Sequence, residues 1–591
     1  MSDTADFIVY RAKIATLDKT QPAAEALAIK DGLFVAVGDE SAVMEWKGPH
    51  TQVVDAQDHR LIPGLNDSHL HVIRGGLNYN MELRWDGISS LKEALQRLKW
   101  QADITPPPQW VRVVGGWNEF QFQERRLPTL AELNQAAPDT PVFVLHLYCQ
   151  AMLNQAALRA IGYGKDTPNP PGGEIQRDSQ GNPTGLLIAR PNANILYSAL
   201  ARGPKLDPTD QFNSTRQFMR ELNRLGLTSI IDAGGGFQNY PDDYQVIQEL
   251  ERRGQLTLRI AYNLFTQHPK GELADFQRWT GQLKVGQGSD MLRLNGAGEM
   301  LVFSAADFED FLEPRPDLDQ DMETQLEAVV RHLVAERWPF RLHATYNESI
   351  SRFLDVFEKV ARDIPFGGLR WFFDHCETID ERNLDRVSAL GGGIAVQHRM
   401  AFQGEYFVNR YGAAAARHTP PVSKMLTAGI PVGAGTDATR VASYNPWVSL
   451  FWLVSGRTVG GLKLYGSENQ QSREQALRLY TQGSAWFSGE ESRKGQIRVG
   501  QFADLAVLSH DYFTIPEEEI RSLQSLLTLV GGRTVWAAGP FQTLNPEALP
   551  VSPDWSPVRN YGGYFEGAPP LLNASCSSHR FFGLGCDCFA F

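Results

Sequence analysis

"RLIPGLNDSHLHVIRGG", residues 60–76, is the stretch on which the fold turns: an apolar run that ends in two imidazoles, His69 and His71, one residue apart. Side chains alternate between faces of an extended strand, so positions i and i+2 point the same way. His69 and His71 are thus placed to grip one ion together. Whether they do depends on what the rest of the chain brings to them.

Seven further apolar, β-branched runs follow: "LTSIIDAG" (227–234), "TLRIAYNLF" (257–265), "DMLRLNGAGE" (290–299), "PFRLHAT" (339–345), "LRWFFDHCE" (369–377), "GGGIAVQHR" (391–399) and "GIPVGAGTDA" (429–438). Helix-length segments such as "METQLEAVVRHLVAERW" separate them. Continuous apolar strands alternating with helices imply a parallel sheet covered on both faces, and eight such units close into a barrel. The fold class expected is α/β, a (β/α)8 TIM barrel. Residues 1–62 read instead as short strands with turns, Asp31-Gly32 being placed for a hairpin. A matching β-rich piece, "KGQIRVGQFADLAVLS" with "LLTLVGGRTVWAAG", lies at about 494–540. Together the two ends are expected to form a small β-sandwich, with the barrel at 63–493 between them. Residues 80–205 break the repeat and are expected as an insertion over the mouth, and 541–591 as a C-terminal extension.

Composition narrows the class of function. With 591 residues, 42% apolar and 21% charged, the chain is that of a globular protein with a large core. A net charge of −12 argues against phosphate backbones, so nucleic acid is not an expected partner. No basic leader and no bilayer-length apolar run is present, which points to a cytoplasmic protein without membrane contact. Five cysteines are too few for a disulfide scaffold. Three of them, Cys576, Cys586 and Cys588, gather in the tail with His579, in a spacing that fits no usual paired zinc motif.

Active sites of such barrels lie where the strands end, so the polar residue finishing each run matters most. Strand one ends in Asp67, His69 and His71, strand five in His343, strand six in Asp374 and His375, and strand eight in Asp437. Singly, each has a structural explanation such as a helix cap or a core imidazole. Jointly they suit a divalent transition metal: zinc, or less specifically iron, manganese or nickel. Such an ion lowers the pKa of bound water from ~16 to about 7, and a carboxylate beside that water moves its proton. Asp437 is assigned that work.

"PGLNDSHLHV", the histidines of strands five and six and "GTDA" resemble the amidohydrolase superfamily, whose pattern is PGxxDxHxH followed by His, His and Asp. "QALRLYTQGSAWFSGEESRKGQIRVGQFADLAVLSHDYF" is similar to its C-terminal signature, and the likeness spans about residues 7–540. "GGW" (115–117), "LNQAAL" (153–158) and "GGEIQRDSQGNPTGLL" (172–187) look most like the amidohydrolase-3 branch that includes N-substituted formamide deformylase. The resemblance implies a metal site of His69, His71, His343, His375 and Asp437, one or two ions, and hydrolysis of an amide-like carbon–nitrogen bond of a small molecule. It also exposes a departure. Binuclear relatives carry a carboxylated lysine at strand four, where Met291 stands here and Lys284 lies too early. Either Glu299 replaces it as a bridge, or one ion is held by His69, His71, His343 and Asp437 while His375 orients water or substrate.

Trp117, Asn118, His146, Arg190 and Tyr346 follow or end strand-like runs and are the expected substrate contacts, with Cys149 and Arg399 beside them. Cys149 stands where the branch often has histidine. The aromatic tail "LPVSPDWSPVRNYGGYFEGAPP" reads as an arm packed on the barrel or on a second subunit, which leaves a homodimer open. The reading is a metal-dependent hydrolase of non-peptide carbon–nitrogen bonds. Its alternatives are a mononuclear deaminase or isomerase of the same superfamily, and a non-catalytic oligomeric scaffold.

Overall fold

In the computed structural model, the described residues are 4–190, 193–235, 238–308, 311, 315 and 317–564. The tail cysteines and His579 lie outside them. All eight apolar runs contribute strands to one parallel sheet: β1 (Leu65–Leu70), β2 (Leu227–Asp232), β3 (Arg259–Leu264), β4 (Leu292–Ala297), β5 (Phe340–Ala344), β6 (Trp371–His375), β7 (Gly393–Gln397) and β8 (Val432–Gly435). Each strand pairs with the next, as consecutive right-handed crossovers dictate. Closure between β8 and β1 is made where the site forms. Asp437 N–H donates to the His69 carbonyl at 2.7 Å, His71 N–H to the Ala438 carbonyl at 3.0 Å, and Thr436 Oγ1 to Asp67 at 2.7 Å. Asp67 is therefore the clasp of the barrel, and burial lifts its carboxyl to about 7.

One run divides. "RLIPGLND" breaks at Gly64, with Arg60–Pro63 joining another sheet and Leu65–Leu70 entering the barrel. A Cβ at Gly64 would stand 2.1 Å from Thr228 Oγ1, so only glycine lets the chain pass this close to β2. Covering helices follow the 3.6-residue rule: Met322–Ala335 buries Met322, Leu326, Val329, Val330 and Leu333 on one face. Asp207 caps helix Pro208–Arg224 by accepting from Asp210 N–H, with proline in the first turn where its missing donor costs nothing.

The two ends of the chain meet in one six-stranded sheet, in which Arg60–Pro63 lies between Leu505–Leu508 (antiparallel) and Lys13–Ala15 (parallel). A four-stranded sheet from residues 7–55 packs on it through Phe7, Val9, Leu27 and Ile29 against Leu61, Leu505, Val507 and Leu527. Asp31 (φ 50°) and Gly32 (φ 77°) make the hairpin turn between Ala26–Lys30 and Leu33–Gly38. Arg259 at the start of β3 pairs with Asp504 at 2.7 Å, tying the barrel floor to this unit.

Within residues 80–205 a further six-stranded sheet forms, from Glu82–Leu83 to Gly173–Arg177. It reaches the strand ends of the barrel: Arg84 donates to the Thr439 carbonyl and Asn118 to the Phe402 carbonyl. The tail up to residue 564 lies along this insertion and the barrel. Ser556 donates to the Asn80 carbonyl and Gln101 to the Trp555 carbonyl, while Arg97 stacks on Tyr561.

Candidate metal centre

At the C-terminal ends of β1, β4, β5, β6 and β8 the side chains of His69, His71, Glu299, His343, His375 and Asp437 converge, all buried. Backbone geometry explains how. Asp67, His69 and His71 keep the two-residue period of β1, and the His69 and His71 ring centroids lie 5.2 Å apart. Strand β6 would send Asp374 and His375 to opposite faces, but His375 has φ 78°, a left-handed conformation that turns both toward the interior. Asp437 is likewise left-handed, at φ 55°. Glu299 comes from a gap in the sheet: β4 and β5 pair only at Ala297 and Phe340, and the seam resumes with His343 N–H donating to the Glu299 carbonyl.

The inner atoms fall into two groups that share His69. His69 Nε2 and His71 Nε2 lie 3.3 and 3.1 Å from Asp437 Oδ1. Glu299 spans the cluster. Its Oε1 is 3.5 Å from His71 Nε2, and its Oε2 is 3.3 Å from His69 Nε2, 3.7 Å from His343 Nδ1 and 3.8 Å from His375 Nε2. His343 Nδ1 and His375 Nε2 approach to 3.1 Å. Donors on one tetrahedral ion at about 2.0–2.1 Å stand roughly 3.3 Å apart, so these separations fit a shared cation. Two buried atoms in the middle, His69 Nε2 and Glu299 Oε2, have no hydrogen-bond partner. A cation between them would satisfy both.

Outer contacts aim the rings. His69 Nδ1 faces Asp374 Oδ1 at 3.0 Å, leaving Nε2 to point inward, and Asp374 is itself held by Arg341 Nε at 2.7 Å. Arg341 Nη2 also lies near His69 Nδ1, but two donors do not bond each other, so both protons serve Asp374. His71 Nδ1 donates to the Gly234 carbonyl. His343 Nε2 meets the Thr345 hydroxyl at 3.3 Å, and Arg399 grips Asp437 Oδ2 at 2.6 Å.

Charge in the cluster is set for a cation. Burial disfavours the Asp437 carboxylate, yet Arg399 and His69 overcome it and hold the group well below the usual range. Glu299 is likewise held well below by His69, His343 and His375 against burial. Burial, Arg399 and His343 keep His375 neutral, and burial lowers His343. His69 is the exception: burial resists its charge, but Asp374, Glu299 and Asp437 lift it to about 10. Three carboxylates thus demand positive charge at one point, which a proton on His69 or a metal ion supplies.

The residues expected to touch substrate are dispersed. Trp117 packs on Trp85 with centroids 4.9 Å apart and donates its indole N–H to the Leu145 carbonyl. Asn118 caps the short turn Glu119–Gln121. Trp117 thus spends its polar atom on the insertion's own main chain, and Asn118 donates its amide to the Phe402 carbonyl of a barrel helix. His146 belongs to a side cluster, with Nε2 3.0 Å from Glu119 Oε2, Nδ1 3.5 Å from Cys149 Sγ, and Tyr406 donating to Glu119. Arg190 is exposed after strand Pro183–Ala189. Tyr346 is buried beside Phe311 and under Arg315, whose guanidinium carbon lies 5.4 Å from the ring. At the place expected for the carboxylated lysine, Met291 lies just before β4, and Lys284 is exposed.

Arg341 was not anticipated from the sequence, although it sits two residues before His343 and shares its face, a polar residue where a barrel interior is normally apolar. Asp307, which receives the N–H groups of Thr345 and Tyr346, left no comparable sign.

A sequence profile described as "Amidohydrolase family" matches residues 52–536. N-substituted formamide deformylase of Arthrobacter pascens is 28% identical over 90% of this chain and 98% of its own length. The putative amidohydrolase YtcJ of Bacillus subtilis (strain 168) is 26% identical over 87% of this chain and 96% of its own. Among solved structures, an uncharacterized metal-dependent hydrolase from Pyrococcus horikoshii OT3 superposes with a TM-score of 0.63 at 20% identity, covering 87% of this chain and 99% of that one, a likeness of fold. With the profile match running through the whole barrel, its insertion and the C-terminal strands that follow, the chain belongs to the amidohydrolase family, metal-dependent hydrolases of carbon–nitrogen bonds other than peptide bonds.

Proposed function

We propose that this hydrolase cleaves the amide bond of a small N-acyl or N-formyl amine, and that His69, His71, His343, His375, Glu299 and Asp437 would hold two zinc ions, Glu299 standing in for the carboxylated lysine of binuclear relatives. The observation that carries the reading is the pair of partnerless buried atoms, His69 Nε2 and Glu299 Oε2, 3.3 Å apart and flanked by Asp437 Oδ1. A carboxylate offers the same two oxygens as a carboxylated lysine, so Glu299 suits the place that residue has in binuclear relatives. When bound, such ions supply Lewis acidity and an acidified water.

The chain's own residues do the rest. Asp374 and the Gly234 carbonyl take the outer N–H groups of His69 and His71, which turns both inner nitrogens toward the ion site. Arg399 holds Asp437 ionised and fixes its orientation through Oδ2. Asp437 takes a proton from the attacking water and returns it to the departing nitrogen, so it ends the cycle as it began. His375, kept neutral by burial, Arg399 and His343, would offer a ring lone pair as a ligand. Trp117, Asn118 and Tyr346 shape the pocket from behind, while His146 and Arg190 are the polar groups of that set assigned to meet substrate. The deformylase named above supports N-formyl amines as the first compounds to assay. The reading includes a cytoplasmic workplace and a homodimer; among the described residues no helix is long and apolar enough to cross a membrane.

Elemental analysis of the purified protein, with a panel of N-formyl and N-acyl amines scored for carboxylate against ammonia release, tests it. About two equivalents of zinc and release of carboxylate plus amine are expected. Ammonia release would move the chain to the deaminase alternative, and a folded, metal-free protein to the scaffold.

A further inference from the structure

Two guanidiniums at the barrel mouth have no part in the reading above. Arg440 follows Asp437 by three residues and is only 9% exposed. Among the described residues it has no carboxylate within ion-pair distance, and its packed partner is the Tyr197 ring, 4.4 Å from the guanidinium carbon. Arg74, three residues past His71 on helix Val72–Asn78, has a buried Nε with no hydrogen-bond partner. Its Nη1 flanks the His71 ring: a Cβ built on Gly235 would stand 3.1 Å from Arg74 Nη1 and 3.3 Å from His71 Nδ1.

The two cations lie within each other's field. After burial, Arg74 is the strongest influence pulling the Arg440 pKa down. Glu82 is the acid whose field reaches both, but Arg84 binds it directly. Burying a cation without a counter-charge is costly, and a fold keeps such a group where a ligand completes the pair. An aromatic wall runs from Arg440 to the metal ligands. Tyr197 contacts Tyr148 (centroids 6.1 Å), Tyr148 contacts Phe308 (6.1 Å), and Phe308 contacts His343 (4.9 Å).

We propose that Arg440, assisted by Arg74, is an anion subsite, and that the substrate is an N-acyl amine carrying a carboxylate. This rests on the hydrolase reading of the metal centre. The planar fork of Arg440 matches both oxygens of a carboxylate, and the rings of Tyr197, Tyr148 and Phe308 accept the apolar body between that anion and the scissile amide.

Two matched pairs test it on the metal-loaded enzyme. For binding, calorimetry compares 3-phenylpropanoate with 3-phenylpropanamide, neither of which needs turnover. For hydrolysis, kcat/KM is compared for N-formylphenylalanine and N-formylphenethylamine. A preference for the anion of about tenfold or more in each pair is expected, as a charge-assisted hydrogen bond supplies. In Arg440→Met both preferences should fall toward unity, and in Arg74→Met by less. Arg440→Lys keeps the cation without the fork and should retain part of the preference, which serves if the methionine variant fails to fold.

No preference in the wild type overturns the subsite, as does a preference that survives Arg440→Met, which would mean that the carboxylate sits on the metal. Anion binding that depends on Arg440, with neither formyl compound cleaved, leaves the subsite standing and removes the hydrolysis reading. Cleavage of both compounds without preference does the reverse.

Discussion

The two ends of the buried His/Glu/Asp cluster are secured by different means. At the β1 end, each histidine has its outer nitrogen tied to an acceptor: Asp374, itself clamped by Arg341, for His69, and the Gly234 carbonyl for His71. At the β5–β6 end, His343 Nε2 meets the Thr345 hydroxyl at 3.3 Å and stands 3.7 Å from Asp307, whose carboxyl burial lifts to about 8, and His375 Nδ1 is buried without a partner. The first end is pre-organised by the protein, so it should hold an ion at little cost in ordering. The second is shaped in part by what it binds. Glu299 joins them, one oxygen toward each.

The largest expected effect falls on the residue closing the pre-organised end. Asp437→Asn should lower turnover by about 10²–10⁴-fold with the fold intact by circular dichroism; a loss under tenfold would take the proton transfer away from Asp437. The comparison itself is tested by metal titration. Asp374→Asn should weaken the tighter ion by about 10–100-fold, whereas Thr345→Val should weaken only the looser one, and by less. Equal losses would mean that both ends are built alike. Glu299→Gln should leave about one equivalent of zinc by elemental analysis where the wild type holds about two; two retained ions would end the bridging role.

The smallest effect is on stability. Burial pulls the His398 imidazolium down to about 3 from an ordinary value of 6.5, so the folded state stays neutral while the unfolded chain gains a proton as pH falls below 6.5. Stability from this group is present above that value and is lost as pH falls from 6.5 toward 3, by at most about 1.4 kcal/mol per pH unit. His398→Gln should flatten the dependence of the urea midpoint on pH in this window, and an unchanged slope would relieve His398 of the role.

Much of the fold was legible because its signals are periodic. Eight apolar runs spaced by helices became the eight strands, and the two β-rich ends share a sheet. The division of "RLIPGLND" at Gly64 was not legible, because it depends on how closely β2 approaches. The convergence of His69, His71, His343, His375 and Asp437 followed from strand ends and from the family pattern. What the sequence hid was the network behind them. Arg341 and Asp374 share the inner face by ordinary alternation, but it takes a left-handed His375 to bring inward an imidazole that strict alternation would turn outward. Trp117 and Asn118 looked like pocket residues since they follow a strand, but which partner a polar atom finds depends on how the insertion folds and docks on the barrel. Arg440 could be seen three residues after Asp437; that no carboxylate among the described residues pairs with it could not.

The strand Arg60–Pro63 has a further consequence. Its antiparallel neighbour is Leu505–Leu508, and Arg60 reaches Asp511 across 451 positions of chain. Translation must run on across those 451 positions before this edge finds its mate, so an early strand waits for a late one. Until then the exposed edge beside Lys13–Ala15 and Arg60–Pro63 is open to mispairing, which makes the nascent chain most vulnerable to aggregation late in its own translation.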